Sequence, residues 1–170
     1  MAITEQIQSI GSNLIFVIPG QIEQGPGTSD LRNVEPLTRE DAEAIADPVL
    51  TQYIAAVSPV IFRNVTATYL GESTDVQLFG TTPEFEYVRN YPVGYGQFFT
   101  MSDETRSARV ALLGTETAED LFGDPYLGLG QTIRINGVPF KVMGILEEKG
   151  GQTGFGGGSA DDLILVPLST

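Results

Sequence analysis

An α+β fold is what this sequence predicts, and three features carry the prediction. The stretch "QTIRINGVPFKVMGIL" alternates around Asn136-Gly137, the strongest short-range signal of a two-residue hairpin in the chain. "RVALLG" holds a short apolar run, the pattern of a short buried strand, and "DDLILVPL" adds a final strand. Helix signatures in "LTREDAEAIADP" and "TETAEDLFG" fall among the strands without a strict βαβα rhythm, so a mixed α+β arrangement is preferred over a doubly wound parallel sheet.

Each element follows from local chemistry. In "MAITEQIQSIG", Ile3, Ile7 and Ile10 share one helical face, but no capping residue stands ahead of them. The spacing predicts a helix entered midway and a segment upstream of it. Gly11 and Asn13 can end that helix, and the apolar run before Pro19-Gly20 predicts a buried strand over Leu14 to Ile18. Residues 21–36, rich in Gly, Pro and polar side chains, read as a loop. Thr38 is then an N-cap candidate, with acids in the turns that the helix dipole favours and Asp47-Pro48 as a stop.

From Val57 to Gly80 the density of β-branched residues predicts two strands, joined by a turn at Gly71-Glu72-Ser73. "RVALLG" predicts a strand feeding a helix that starts at Thr115 as cap and ends at Gly123. The run after Asp161-Asp162 is the final strand. No repeat of fixed period and no separable linker divides the chain.

At 170 residues with 41% hydrophobic content, the chain can build one core. Nine Lys and Arg against 22 Asp and Glu leave a net charge of −13, which repels nucleic acid and anionic lipid. Cysteine and histidine are both absent. That excludes disulfides, thiolate zinc sites, cysteine nucleophiles and the Ser-His-Asp arrangement. No run approaches the ~20 apolar residues that span a bilayer.

The glycine-rich stretch "GGQTGFGGGSADD" is the obvious candidate for a phosphate cradle. Such a cradle needs glycines between a strand and a helix N-terminus, so that backbone N–H groups face the anion. Here Gly151, Gly154 and Gly156 run in the order GxxGxG, no Gly-Lys-Ser/Thr follows, and two aspartates lead into a strand. The stretch reads as a surface loop. Phe155 in its middle either packs back on the domain or meets a partner, packing being the ordinary outcome.

Acids such as Glu116, Glu119, Asp120, Glu147 and Glu148 show no spacing that selects a glycosidase pair. Asp161-Asp162 lacks the loop pattern of a calcium site. A serine nucleophile would depend on Lys141 or Lys149, the only lysines, and no GxSxG elbow is present. No catalytic residue, metal ligand or cofactor is predicted.

The order of motifs is similar to a known family. "GQFF" with Asp103, then "VALLG", "ETAEDLFG", "LGQTIRINGVPFKVMGIL", a Gly-rich interval and "DDLILVPLST" resembles the extracytoplasmic (periplasmic core) domain of MacB-type, FtsX-like ABC transporter permeases. "ITEQIQSIGSNLIFVIPG" resembles that domain's entry, and the likeness spans the whole chain, weakest from Gln21 to Glu35.

The resemblance implies a porter-like βαβ subdomain over 10–62 plus 160–170, with an inserted β-rich, sabre-like subdomain over 63–159. It implies a place outside a prokaryotic cell membrane, between the first and second membrane helices of a permease. The expected partners are those membrane helices, a cytoplasmic ABC ATPase, and an adaptor protein or exported substrate. The domain would transmit ATP-driven motion and perform no catalysis. Family permeases pair through their membrane parts, so a dimer is expected for the whole and a monomer for the isolated domain. Family cargoes include macrolides, peptides and lipoproteins. Phe155, Asp161 and Asp162 are the residues expected in a partner-contact loop. The acidic surface and the loop keep one alternative, a stand-alone ligand-binding or carbohydrate-active domain.

Overall fold

The computed structural model describes residues 13–19, 36–49, 51–152 and 158–170. The expected first helix with Ile3, Ile7 and Ile10, the loop at 21–36 except its last residue, and Phe155 lie outside these residues. The described helices are α1 Arg39–Ala46, α2 Phe85–Val88, α3 Met101–Thr105 and α4 Thr115–Phe122, with a 3₁₀ turn at Pro125–Gly128. The strands are β1 Val60–Tyr69, β2 Glu72–Thr81, β3 Val93–Gly96, β4 Val110–Leu113, β5 Thr132–Ile135, β6 Val138–Leu146 and β7 Leu163–Pro167.

Local chemistry decides several of these. At the start of α1 the Thr38 hydroxyl accepts the Asp41 N–H at 3.3 Å, and the Asp41 carboxylate accepts the Thr38 N–H at 2.7 Å. This reciprocal box satisfies two helix-end donors. The same Thr-x-x-Asp arrangement, Thr100 with Asp103, caps α3, a helix that sequence reasoning missed. Asn136 and Gly137 take φ of +47° and +84° in a two-residue turn, and Val138 pairs with Ile135 as predicted.

Seven strands form one mixed sheet in the order β3-β6-β4-β7-β2-β1-β5. Strand β5 pairs with β6 as well as β1, so the ladder closes on itself and β3 extends it beside the far half of β6. The β2–β7 and β4–β6 pairs are parallel and the rest antiparallel, the mixture expected of an α+β fold. Strands β4 and β7 lie between two apolar clusters. Ala111, Leu113, Ile164 and Val166 face one that includes Ile133, Phe140 and Leu121 of α4. Leu112, Leu163 and Leu165 face another with Phe79, Phe85 and Phe99. Every residue of β7 is therefore buried, which is the physical reason its sequence runs apolar without alternation.

Three expectations are corrected. Residues Leu14 to Ile18 form no strand: Ile15 is 81% exposed, Ile18 73%, and the run joins none of the seven ladders. An apolar run becomes a strand only where a neighbour offers its backbone groups, and β4 and β7 occupy the two-sided positions. Phe16 instead lies 5.0 Å from the Arg89 guanidinium, a cation–π contact. The first hairpin turns at Leu70-Gly71, since Tyr69 already pairs with Glu72 and Ser73 with Thr68. Leu70 takes φ +46°, a conformation nothing in a leucine side chain announces. Finally, Gly114 and not Thr115 is the N-cap of α4, for a reason that lies in the loop before β7.

Candidate functional site

The glycine-rich loop joins β6 to β7, and its described base is tightly built. Gly150 and Gly151 take φ of +66° and +84°, which turns the chain sharply after β6. Both carboxylate oxygens of Asp161 accept backbone N–H groups, from Lys149 and Gly150, each at 2.7 Å. The Ala160 N–H donates to the Gly151 carbonyl at 3.0 Å, and Gln152 forms an isolated bridge with Ser159. Asp161, only 8% exposed, thus pins the neck of the loop.

The backbone of Asp161 has a second task. Its carbonyl accepts the N–H groups of Glu116 at 3.2 Å and Thr117 at 3.5 Å, supplying the cap that α4 lacks. Close approach is what makes Gly114 obligatory, because a Cβ there would lie 2.1 Å from that same carbonyl oxygen. Asp162 accepts the Thr117 hydroxyl at 3.0 Å. Burial pushes the Asp162 carboxyl above the usual range; the Thr117 hydrogen bond opposes the shift, and the charges of Glu116 and Asp120 add to it.

Lys149 closes the site on its other side. Its ammonium donates to the carbonyls of Arg89 at 2.6 Å and Asn90 at 3.1 Å, and sits 4.0 Å from the centre of the Tyr91 ring. Burial brings its pKa down to about 8; the nearby Arg89 charge adds to this and Asp161 works against it. Burial also lowers Arg89 and raises Tyr91. Sequence reasoning considered Lys149 only as a base for a serine, and here it serves as a strut between the loop and the turn after α2. Neither Arg89 nor Tyr91 carries a local sequence signal, since both matter only through this packing.

Two of the three predicted site residues are therefore neighbours in the structure, and the third, Phe155, is outside the described residues. Both carboxylate oxygens of Asp161 and one of Asp162 are engaged by the fold. The acids Glu116, Glu119, Asp120, Glu147 and Glu148 are exposed, with Asp120 accepting the Thr74 hydroxyl at 2.9 Å. Among the described residues no three His, Cys, Asp or Glu side chains converge on a metal position. An open groove is lined by Tyr69, Leu70, Leu121, Phe122, Leu127, Gln131 and a single acid, Glu72; a second, lined by Val49, Thr51, Gln52, Tyr53 and Ile54, has none. Neither gathers the two carboxylates that glycoside hydrolysis uses. No described helix is long and apolar enough to cross a membrane.

Comparison with known proteins gives this architecture its relatives. Residues 1–170 match the family described as MacB-like periplasmic core domain. The macrolide export ATP-binding/permease protein MacB of Wolinella succinogenes is 34% identical over 169 residues, covering 99% of this chain and 25% of that protein. Its counterpart in Hyphomonas neptunium is 37% identical over 167 residues, covering 97% of this chain and 24% of that protein. The chain thus spans about a quarter of the length of these relatives.

Among solved structures, the periplasmic region of MacB from Actinobacillus actinomycetemcomitans superposes with a TM-score of 0.76 at 23% identity, over 100% of this chain and 72% of that one, a likeness of fold. The extracellular domain of the ABC-type transporter YknZ from Gram-positive bacteria gives a TM-score of 0.65 at 26% identity, over 78% of this chain and 63% of that one. The family match places the chain on the extracytoplasmic side of a prokaryotic membrane, as the periplasmic core domain of a transporter permease. The chain belongs to the family of MacB-like periplasmic core domains.

Proposed function

We propose that this domain couples ATP-driven motion of a permease's membrane helices to the handling of a substrate or partner outside the membrane, and does no catalysis itself. The observation that carries the reading is the family match over all of residues 1–170, joined to relatives described as ATP-binding permeases. The site chemistry supports it: the buried polar groups around Asp161, Asp162 and Lys149 are engaged with backbone and side chains of the fold. The ATPase belongs to another part of the same machine or to a separate subunit. A macrolide is the cargo suggested by the relatives' descriptions, and an adaptor protein is the partner the family resemblance suggests.

The same proposal makes the whole permease a dimer and the isolated domain a monomer. It keeps the division into a porter-like part, 10–62 plus 160–170, and a sabre-like part, 63–159, supported by the resemblance of the motifs. It also makes the loop between β6 and β7 a partner-contact element, with Phe155 one of its contact residues and Asp161 and Asp162 holding its base. The test is export by the full permease, with and without this domain, in a host lacking its own macrolide exporters. Loss of export with ATP hydrolysis retained is the expected result. Undiminished export without the domain would refute the reading.

A further inference from the structure

Glu104 is the least exposed acid described, at 4%, and it joins two segments far apart in the chain. One carboxylate oxygen accepts the Arg39 guanidinium at 2.6 Å, and the other accepts the Ser169 N–H at 3.2 Å. The Glu104 carbonyl also accepts the Ser169 hydroxyl. Next to it, the Thr170 hydroxyl donates to the Ala108 carbonyl at 3.1 Å. Each partner stands 65 residues from Glu104, Arg39 before it and Ser169 after it. Nothing in a five-residue helix requires this; α3 is capped by its own box of Thr100 and Asp103.

What the two segments do makes the junction informative. Ser169 follows β7, the strand buried on both faces, and the β2–β7 ladder continues through the Leu168 N–H to the Thr81 carbonyl at 2.9 Å. A displacement of the chain at 168–170 therefore acts directly on the centre of the sheet. Arg39 opens α1, a helix that buries none of its residues and so has little apolar packing to fix its position. A buried carboxylate is costly without its cation, which binds α1 to the same point.

We infer that Glu104 is a clasp that fixes the direction in which the chain leaves β7 and passes displacement of residues 168–170 on to α1. It is a positioning residue, acting through Arg39 and Ser169. The inference rests on the coupling reading above, in which this domain moves with the membrane helices of its permease.

The test uses the full permease and two readouts, amide hydrogen exchange and export per ATP hydrolysed. Glu104→Gln keeps an oxygen for the Ser169 amide but removes the charge facing Arg39; Glu104→Ala removes both. Glu104→Ala is expected to speed exchange at 168–170 by about tenfold, the scale of one lost charge-assisted hydrogen bond. Glu104→Gln should release residues 39–46 and leave 168–170 close to wild type. Export per ATP falls several-fold in Glu104→Ala, with hydrolysis itself unchanged, and falls less in Glu104→Gln.

If Glu104→Ala does not fold, Arg39→Gln at its half-exposed position carries the test, releasing residues 39–46 alone and lowering export per ATP as Glu104→Gln does. Unchanged exchange at both segments in the variants that fold overturns the clasp. Faster exchange with undiminished export per ATP overturns its coupling role and leaves the family's coupling function standing, since that function is judged by removal of the whole domain.

Discussion

Replacing Asp161 with alanine is the sharpest stability test of the loop's base. The side chain accepts two backbone N–H groups at 2.7 Å and is 8% exposed, so its loss leaves both donors without their partner. Hydrogen bonds to an ionised acceptor contribute about 1.5–3 kcal/mol each, and water entering beside the partly exposed neck restores some of that. The expected net loss is about 3 kcal/mol, or roughly 6–12 °C in Tm for a domain of this size. The carbonyl of Asp161 that caps α4 survives the change, so the measurement isolates the carboxylate. Asp161→Asn keeps one acceptor and should lose about half as much. Thermal unfolding followed by calorimetry reads the effect. A fall in Tm below about 2 °C for Asp161→Ala would refute the pinning role.

Three further changes test other parts of the argument. Gly114→Ala, at an N-cap whose φ of −65° an alanine can adopt, should destabilise by about 2–3 kcal/mol in urea denaturation, because its Cβ meets the Asp161 carbonyl at 2.1 Å; wild-type stability would contradict the close approach. Leu70→Asn should stabilise by about 0.5–1 kcal/mol, since Asn tolerates φ +46° better and Leu70 is 89% exposed; a loss would mean that Leu70 makes a contact the fold does not show. Lys149 predicts a pH dependence. Between about 8 and 10.5 the unfolded chain keeps the lysine proton that the folded chain has released, so stability from this group rises with pH across that window. Tyr91, raised above 10.0 by burial, acts in the opposite sense only at higher pH. Lys149→Met should flatten the rise in urea midpoint from about pH 7.5 to 9.5, and an unchanged slope would remove Lys149 as its source.

Much of the fold was legible because its signals are local. Thr38 and Asp41, Asn136-Gly137 and Gly123 act within a few residues of themselves, and each does in the structure what its chemistry predicts. The apolar runs of β4 and β7 announced strands, and the structure adds that two core clusters meet there, one on each face. Where reading failed, the deciding partner was distant. Leu14 to Ile18 looked like a buried strand and is exposed, because strand formation depends on a neighbour that the run itself does not contain. Thr115 looked like a cap, and the cap came from Asp161, far along the chain.

The sequence by itself determined the fold class, the hairpins, the two longer helices and, through the order of its motifs, the family. Those depend on periodicity, turn chemistry and helix-end donors, all of which act over short stretches of chain. Only the tertiary structure decided that the sheet closes by β5 pairing with β1, that two adjacent aspartates hold a loop neck and a helix start, and that Glu104 ties Arg39 to Ser169. Each of these is a hydrogen bond or ion pair between residues brought together by burying the apolar faces of β4 and β7. The pattern of apolar residues requires that burial, and the register in which it happens selects which polar groups meet.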